Sequence, residues 1–171
     1  MEDEFVLADF FTHQYRISGK VGTKGQRLTD LLDDELSSTL ELRDVEVTRI
    51  ITPEEVVTSH VSALLEKERI VFVVERMAGT DMTERRFYKH VDTTEWDVFL
   101  TVPSFELSGR MHVRGTGDLR TMLLTWTRRF IPLTRATAVF TLFPEISFAG
   151  DVIIVNKSFV EVVCTDAKFA L

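Results

Sequence analysis

One short stretch of this chain occurs twice. Tyr15-Arg16-Ile17-Ser18-Gly19-Lys20-Val21 returns ninety positions later as Phe105-Glu106-Leu107-Ser108-Gly109-Arg110-Met111. Ser18 and Gly19 recur as Ser108 and Gly109, and the flanking apolar and basic positions keep their character. The correspondence runs on in one order. Gly25 meets Gly115. After a one-residue shift, Leu28, Leu32 and Leu42 meet Leu119, Leu123 and Leu133, and Pro53-Glu54 meets Pro144-Glu145. The shift then reverts, so that Lys67 meets Lys157 and Val73 meets Val163. A recurrence of this kind predicts two copies of one unit, each hiding an apolar face against the other. The boundaries it suggests are residues 1–75 for an acidic first repeat, 76–98 for a linker or long loop, and 99–171 for a mildly basic second repeat.

The hydrophobic period predicts what each unit is made of. Tyr15–Val21 and Phe105–Val113 alternate apolar and polar residues, which marks a half-buried strand. Gly22–Gly25 and Gly115–Gly117 read as turns. Leu28, Leu31 and Leu32, like Leu119, Met122, Leu123 and Trp126, fall at helical spacing, with Asp118 placed as an N-cap. Further strands are expected over Leu40–Ile51 and Ile131–Phe143. Pro53 and Pro144 read as turn starts, since proline fixes φ and has no N–H to give a ladder. A closing hairpin is expected, with arms Val57–Leu65 and Ile70–Glu75 in one copy, Asp151–Val155 and Phe159–Cys164 in the other. Asn156 would supply its turn. The expected fold is mainly β, two tandem small sheets or partly open barrels, each strand–helix–strand–strand–strand.

Three motifs carry a family resemblance: Arg27-Leu28-Thr29-Asp30-Leu31-Leu32, Phe130-Ile131-Pro132-Leu133-Thr134-Arg135-Ala136, and Val155-Asn156-Lys157. Together they resemble a family of small bacterial β-rich domains in which an R-L-[ST]-D-[LY]-L segment, an F-I-P-L-T segment and a V-N-K hairpin follow one another. The first copy holds the first motif and the second copy the other two. The resemblance implies an organisation and no activity.

Composition and charge narrow the function. Apolar residues make up 44% of the chain, enough for a buried core, and 13 Phe against two Tyr and two Trp favour burial over polar recognition. The net charge of -7 opposes a general affinity for phosphate backbones. That charge is uneven: residues 1–74 hold 15 acidic and 8 basic side chains, whereas residues 99–171 hold 6 and 8. The single cysteine, Cys164, excludes an intrachain disulfide and suggests a reducing, cytoplasmic setting. The opening Met1-Glu2-Asp3-Glu4-Phe5 lacks the basic start of a secretory signal, and no apolar run is long enough for a membrane-spanning helix.

No catalytic constellation stands out. His13, His60, His90 and His112 have no ligand spacing, so no metal or cofactor is implied. Cys164 lies in an apolar strand and reads as a buried structural thiol. Gly115-Thr116-Gly117 lacks the third glycine of a dinucleotide loop and the Gly-Lys-Ser/Thr of a P-loop. Ser18 and Ser108 have no matching histidine and read, with Gly19 and Gly109, as structural. Asp33, Asp34 and Glu35 are a solvated helix face.

Trp126, Arg128, Arg129 and Phe130 form the most distinctive cluster. Trp and Arg beside apolar residues suit a protein interface. The sequence therefore points to a non-enzymatic interaction or assembly module, its acidic half facing the basic half of another molecule or of its own chain in a salt-sensitive contact. The alternative is a nucleic-acid or small-ligand binding domain using Arg110, Arg114, Arg120, Arg128 and Arg129.

Overall fold

The computed structural model describes residues 4–76, 93–115 and 117–166. The first half runs β1 (Phe5–Phe11), β2 (Tyr15–Gly22), α1 (Leu28–Asp33), β3 (Thr39–Arg49), β4 (Thr52–Glu66), a 3₁₀ turn (Lys67–Arg69) and β5 (Phe72–Arg76). The second runs β6 (Thr93–Val102), β7 (Phe105–Arg114), α2 (Leu119–Thr125), β8 (Phe130–Phe140), β9 (Ser147–Asn156), a 3₁₀ turn (Lys157–Phe159) and β10 (Val162–Thr165). The protein is mainly β. All ten strands join one open antiparallel sheet in the order β10-β6-β7-β8-β9-β5-β1-β2-β3-β4.

This layout differs from the sequence expectation in three ways. First, a strand precedes each expected unit. The opening segment, with its Phe5, Phe10 and Phe11, is β1, and Thr93–Asp97, expected in the linker, begins β6. Arg76, also expected in the linker, ends β5, Val98 continues β6, and residues 77–92, with Phe87 and Tyr88, lie outside the described residues. Second, β4 and β5 are not a hairpin. β4 pairs with β3, whereas β5 pairs with β1 on one side and β9 on the other. The 3₁₀ turn at Lys67–Arg69 connects them, and past it the chain lies between β1 and β9 instead of back along β4. Asn156 accordingly keeps a negative φ of -75°; its side chain accepts from the Ser158 N–H and donates to the Ile70 carbonyl. Third, Pro53 lies inside β4, beyond a tight turn at Ile50–Ile51, while Pro144 does occupy a turn.

Gly19 and Gly109 mark a common kink. The β2–β3 register slips between Ser18 and Lys20, and the β7–β8 register slips between Ser108 and Arg110. In β3 the buried face accordingly jumps from Leu42 to Val45; in β8 it jumps from Leu133 to Ala136. The extra residue takes a left-handed conformation each time, Asp44 at φ 50° and Arg135 at φ 48°. A bulge of this type bends and twists a strand. It brings the partner backbone close to the glycine. A β-carbon at Gly109 would meet the Ala136 Cβ at 2.9 Å, and one at Gly19 would meet the Arg43 carbonyl oxygen at 3.3 Å.

The short helices cover the sheet and are held at their C-terminal ends by two lysines. The Lys67 Nζ donates to the Asp34 carbonyl at 2.9 Å. The Lys157 Nζ donates to the Leu123 and Trp126 carbonyls at 2.8 and 2.9 Å. A cation there satisfies orphan carbonyls and complements the helix dipole. Burial of Lys67 pushes its pKa down, against the pull of the Asp34 charge.

Two apolar clusters form the core, and each borrows from the other half. One gathers Leu28, Leu32, Leu42 and Ile70 together with Phe130, Val152 and Ile154. The other gathers Leu100, Leu107, Leu133 and Ile153 together with Phe11, Ile50 and Phe72. Phe72 stacks on Phe11 at 4.3 Å between centroids and meets Phe105 edge-on at 4.8 Å.

Candidate assembly interface

The junction between the halves is a strand ladder. β5 lies against β9 with Phe72 opposite Val155, Val73 opposite Ile154, Val74 opposite Ile153 and Glu75 opposite Val152. Six of these eight side chains are large and apolar and at most 5% exposed; Val152 is 7% exposed. Beside the ladder, α1 meets the start of β8. The Asp33 carboxylate accepts from the backbone N–H of Arg129 at 3.1 Å and of Phe130 at 3.0 Å. Arg128 pairs with Asp30 at 3.1 Å. The acidic helix and the basic stretch expected to attract one another therefore meet inside one chain. Desolvation raises the Asp33 pKa, outweighing the two backbone N–H groups and the Arg128 charge, which lower it.

The cluster singled out in the sequence is thereby placed. Phe130 is fully buried in the core shared with the first half. Arg128 and the Arg129 backbone hold α1. Trp126 ends α2, packs against the second core and buries its indole N–H without an acceptor. Trp126, Arg128 and Arg129 line an open groove with Asp30, Asp33 and Lys67. The arginine face is divided: Arg110 forms ion pairs with Glu95 and Asp97, both at 3.1 Å. Ser18 donates to Asp9, which also takes a bidentate pair of bonds from Arg76 at 2.8 and 2.6 Å. His112 bonds Thr134 at 2.7 Å. Among the described residues, no three His, Cys, Asp or Glu side chains converge as a metal site requires. Cys164, expected buried, is exposed on β10.

The ends of the sheet are unlike the junction. Among the described residues, β4 and β10 are the outermost strands, with no further strand beside them. Unpaired edges template foreign strands, and proteins ordinarily blunt them with lysine, proline or other charge. β4 carries Pro53, Glu54 and Glu55 at its start and Glu66 at its end, but the Val61-Ser62-Ala63-Leu64-Leu65 segment between them, like Val162-Val163-Cys164-Thr165 on β10, holds none of these. Leu64 is 73% exposed and Val162 is 46% exposed, yet the residues ninety positions away from them, Ile154 and Phe72, are both 0% exposed. Further bare apolar side chains, Val61, Leu36 and Leu124, are exposed in the first half, before β3, and on α2.

Sequence reasoning passed over these edges. Their signal was a short uncharged run in each strand, residues 61–65 and Val162–Thr165, legible only once the strands were known to be outermost. No family model, curated protein or solved structure matches the chain. Among the described residues, no helix is long and apolar enough to cross a membrane.

Proposed function

We propose that the chain is a non-enzymatic assembly module built from a duplicated β-domain. The duplication is supported by register as well as by sequence. Leu42 faces Ala63 across β3–β4 as Leu133 faces Ile153 across β8–β9, and Phe11 faces Phe72 as Thr101 faces Val162. What the two halves hold in common is packing, bulges and the helix-capping lysines. No set of reactive side chains recurs. Asp9 and Arg76, which hold Ser18, have Phe99 and Asp166 at the positions ninety residues on.

The observation that carries the reading is a pair of uncharged, largely apolar edge segments, residues 61–65 on β4 and Val162–Thr165 on β10. A lone chain would keep that surface in water at a cost of about 25 cal/mol for each Å². Association through it is entropy-driven and hydrophobic, and so persists at high salt. The salt-sensitive contact anticipated from the charge of the two halves is already made internally by Asp30 and Arg128. Analytical ultracentrifugation over a concentration series, at low and at high salt, tests the proposal. The expected result is a mass of several chains that dissociates on dilution, and a mass of one chain throughout refutes it. The alternative, binding of nucleic acid or a small anion by the arginine face, is less favoured because Arg110 and Arg128 are engaged with carboxylates.

A further inference from the structure

The ladder that joins the two halves defines a donor edge and an acceptor edge. β5 is the donor, a short apolar strand that follows a 3₁₀ turn. β9 is the acceptor, the outer strand of the other half. The same chain carries one more of each. β10 stands to β6 as β5 stands to β1: Val162 faces Thr101 and Val163 faces Leu100, as Phe72 faces Phe11 and Val73 faces Phe10. β4 stands to β3 as β9 stands to β8. Among the described residues no strand lies beyond either of them, and they stand at opposite ends of one sheet.

Resting on the assembly reading above, we propose that β10 of one molecule adds to the β4 edge of a second copy and repeats the β5–β9 ladder. The register follows from the internal junction. Val162 would face Leu65 of the second copy, Val163 would face Leu64, and Cys164 would face Ala63. No charge enters this ladder. The contact beside it repeats too. α2 takes the place of α1, and Leu124 stands where Asp33 stands in the internal junction, over the Ser37–Thr39 segment of the neighbour. The exposed Leu36, Leu64, Leu124 and Val162 thus belong to one seam rather than to scattered positions. A single such contact leaves one donor and one acceptor edge free. The joint is heterologous, and copies add until a ring closes or a filament grows.

Cys164 makes the register measurable, because it is the only cysteine of the chain. Directly opposed residues in an antiparallel pair have Cα atoms about 4.5–5.5 Å apart, within the range a disulfide spans. Under mild oxidation with diamide, the full-length Ala63→Cys variant is expected to give a ladder of cross-linked chains on a non-reducing gel. Adding Cys164→Ser should abolish the ladder. Leu64→Cys and Ser62→Cys, one residue out of register and facing the other side of the sheet, should cross-link at background level. Sedimentation of the reduced variants reads assembly independently, and Leu64→Lys should weaken it at least about tenfold.

Assembly without cross-linking of Ala63→Cys, or with equal cross-linking of Leu64→Cys, overturns the edge register and leaves the assembly module standing. Quantitative formation of a disulfide within single chains overturns the second copy as occupant, since the two edges of one sheet would then meet each other. A reduced protein that sediments as one chain at every concentration removes both.

Discussion

Leu42→Ala tests whether the two halves fold as one. Leu42 is fully buried in the cluster that β3 shares with Phe130, Val152 and Ile154. Truncating such a leucine removes its transfer free energy and leaves a cavity, costing about 2–5 kcal/mol. In a chain of this size each kcal/mol shifts the midpoint of thermal unfolding by roughly 2–4 °C, giving a drop of about 4–20 °C. The informative probe is tryptophan fluorescence. Both tryptophans, Trp96 and Trp126, lie in the second half and pack against the other cluster. If the β5–β9 ladder and the exchanged core residues couple the halves, the tryptophan transition moves by the same amount as the far-ultraviolet dichroism. The measurement belongs at a protein concentration low enough to keep single chains. A tryptophan transition that stays in place while the dichroism signal splits in two would refute the shared core.

Two further outcomes follow from local geometry. Gly109→Ala should destabilise by about 1–3 kcal/mol in urea unfolding, as overpacking does. Gly19→Ala should cost clearly less, because its nearest neighbour stands at 3.3 Å rather than 2.9 Å; equal costs would show that the two bulges do not constrain their glycines as described. Asp33→Asn keeps an acceptor for the Arg129 and Phe130 N–H groups but cannot ionise. Because burial raises the Asp33 pKa above its ordinary 3.8, the folded state binds more protons than the unfolded one between those two values. Stability of the natural chain therefore falls as pH rises through that window, and the loss persists at neutral pH. The urea midpoint of Asp33→Asn, relative to that of the natural chain, should climb with pH across the window and level off above it. A gap that stays constant or narrows would contradict the desolvation of Asp33.

Most of the local structure was legible in the order of residues. Alternation placed β2, β3, β7 and β8, leucine spacing placed both helices, and Asp118 is the N-cap that its position suggested, accepting from the Arg120 N–H at 2.7 Å. These features depend on a residue and its near neighbours, so they are legible without the fold. The matched lysines, Lys67 and Lys157, were visible as a coincidence, but their role was not. Each reaches a helix end more than thirty residues back along the chain.

Tertiary structure alone decided the partners. Nothing local distinguishes a β4–β5 hairpin from a strand that crosses to β1 and β9, since both need the same apolar run after a turn. The same limit hid the interface. Val73 and Val163 are each the second residue of a short strand that follows a 3₁₀ turn, yet the first, between two strands, is fully buried and the second, on an outermost strand, is only partly so. Burial depends on what lies across the ladder, and a strand does not encode its own neighbour.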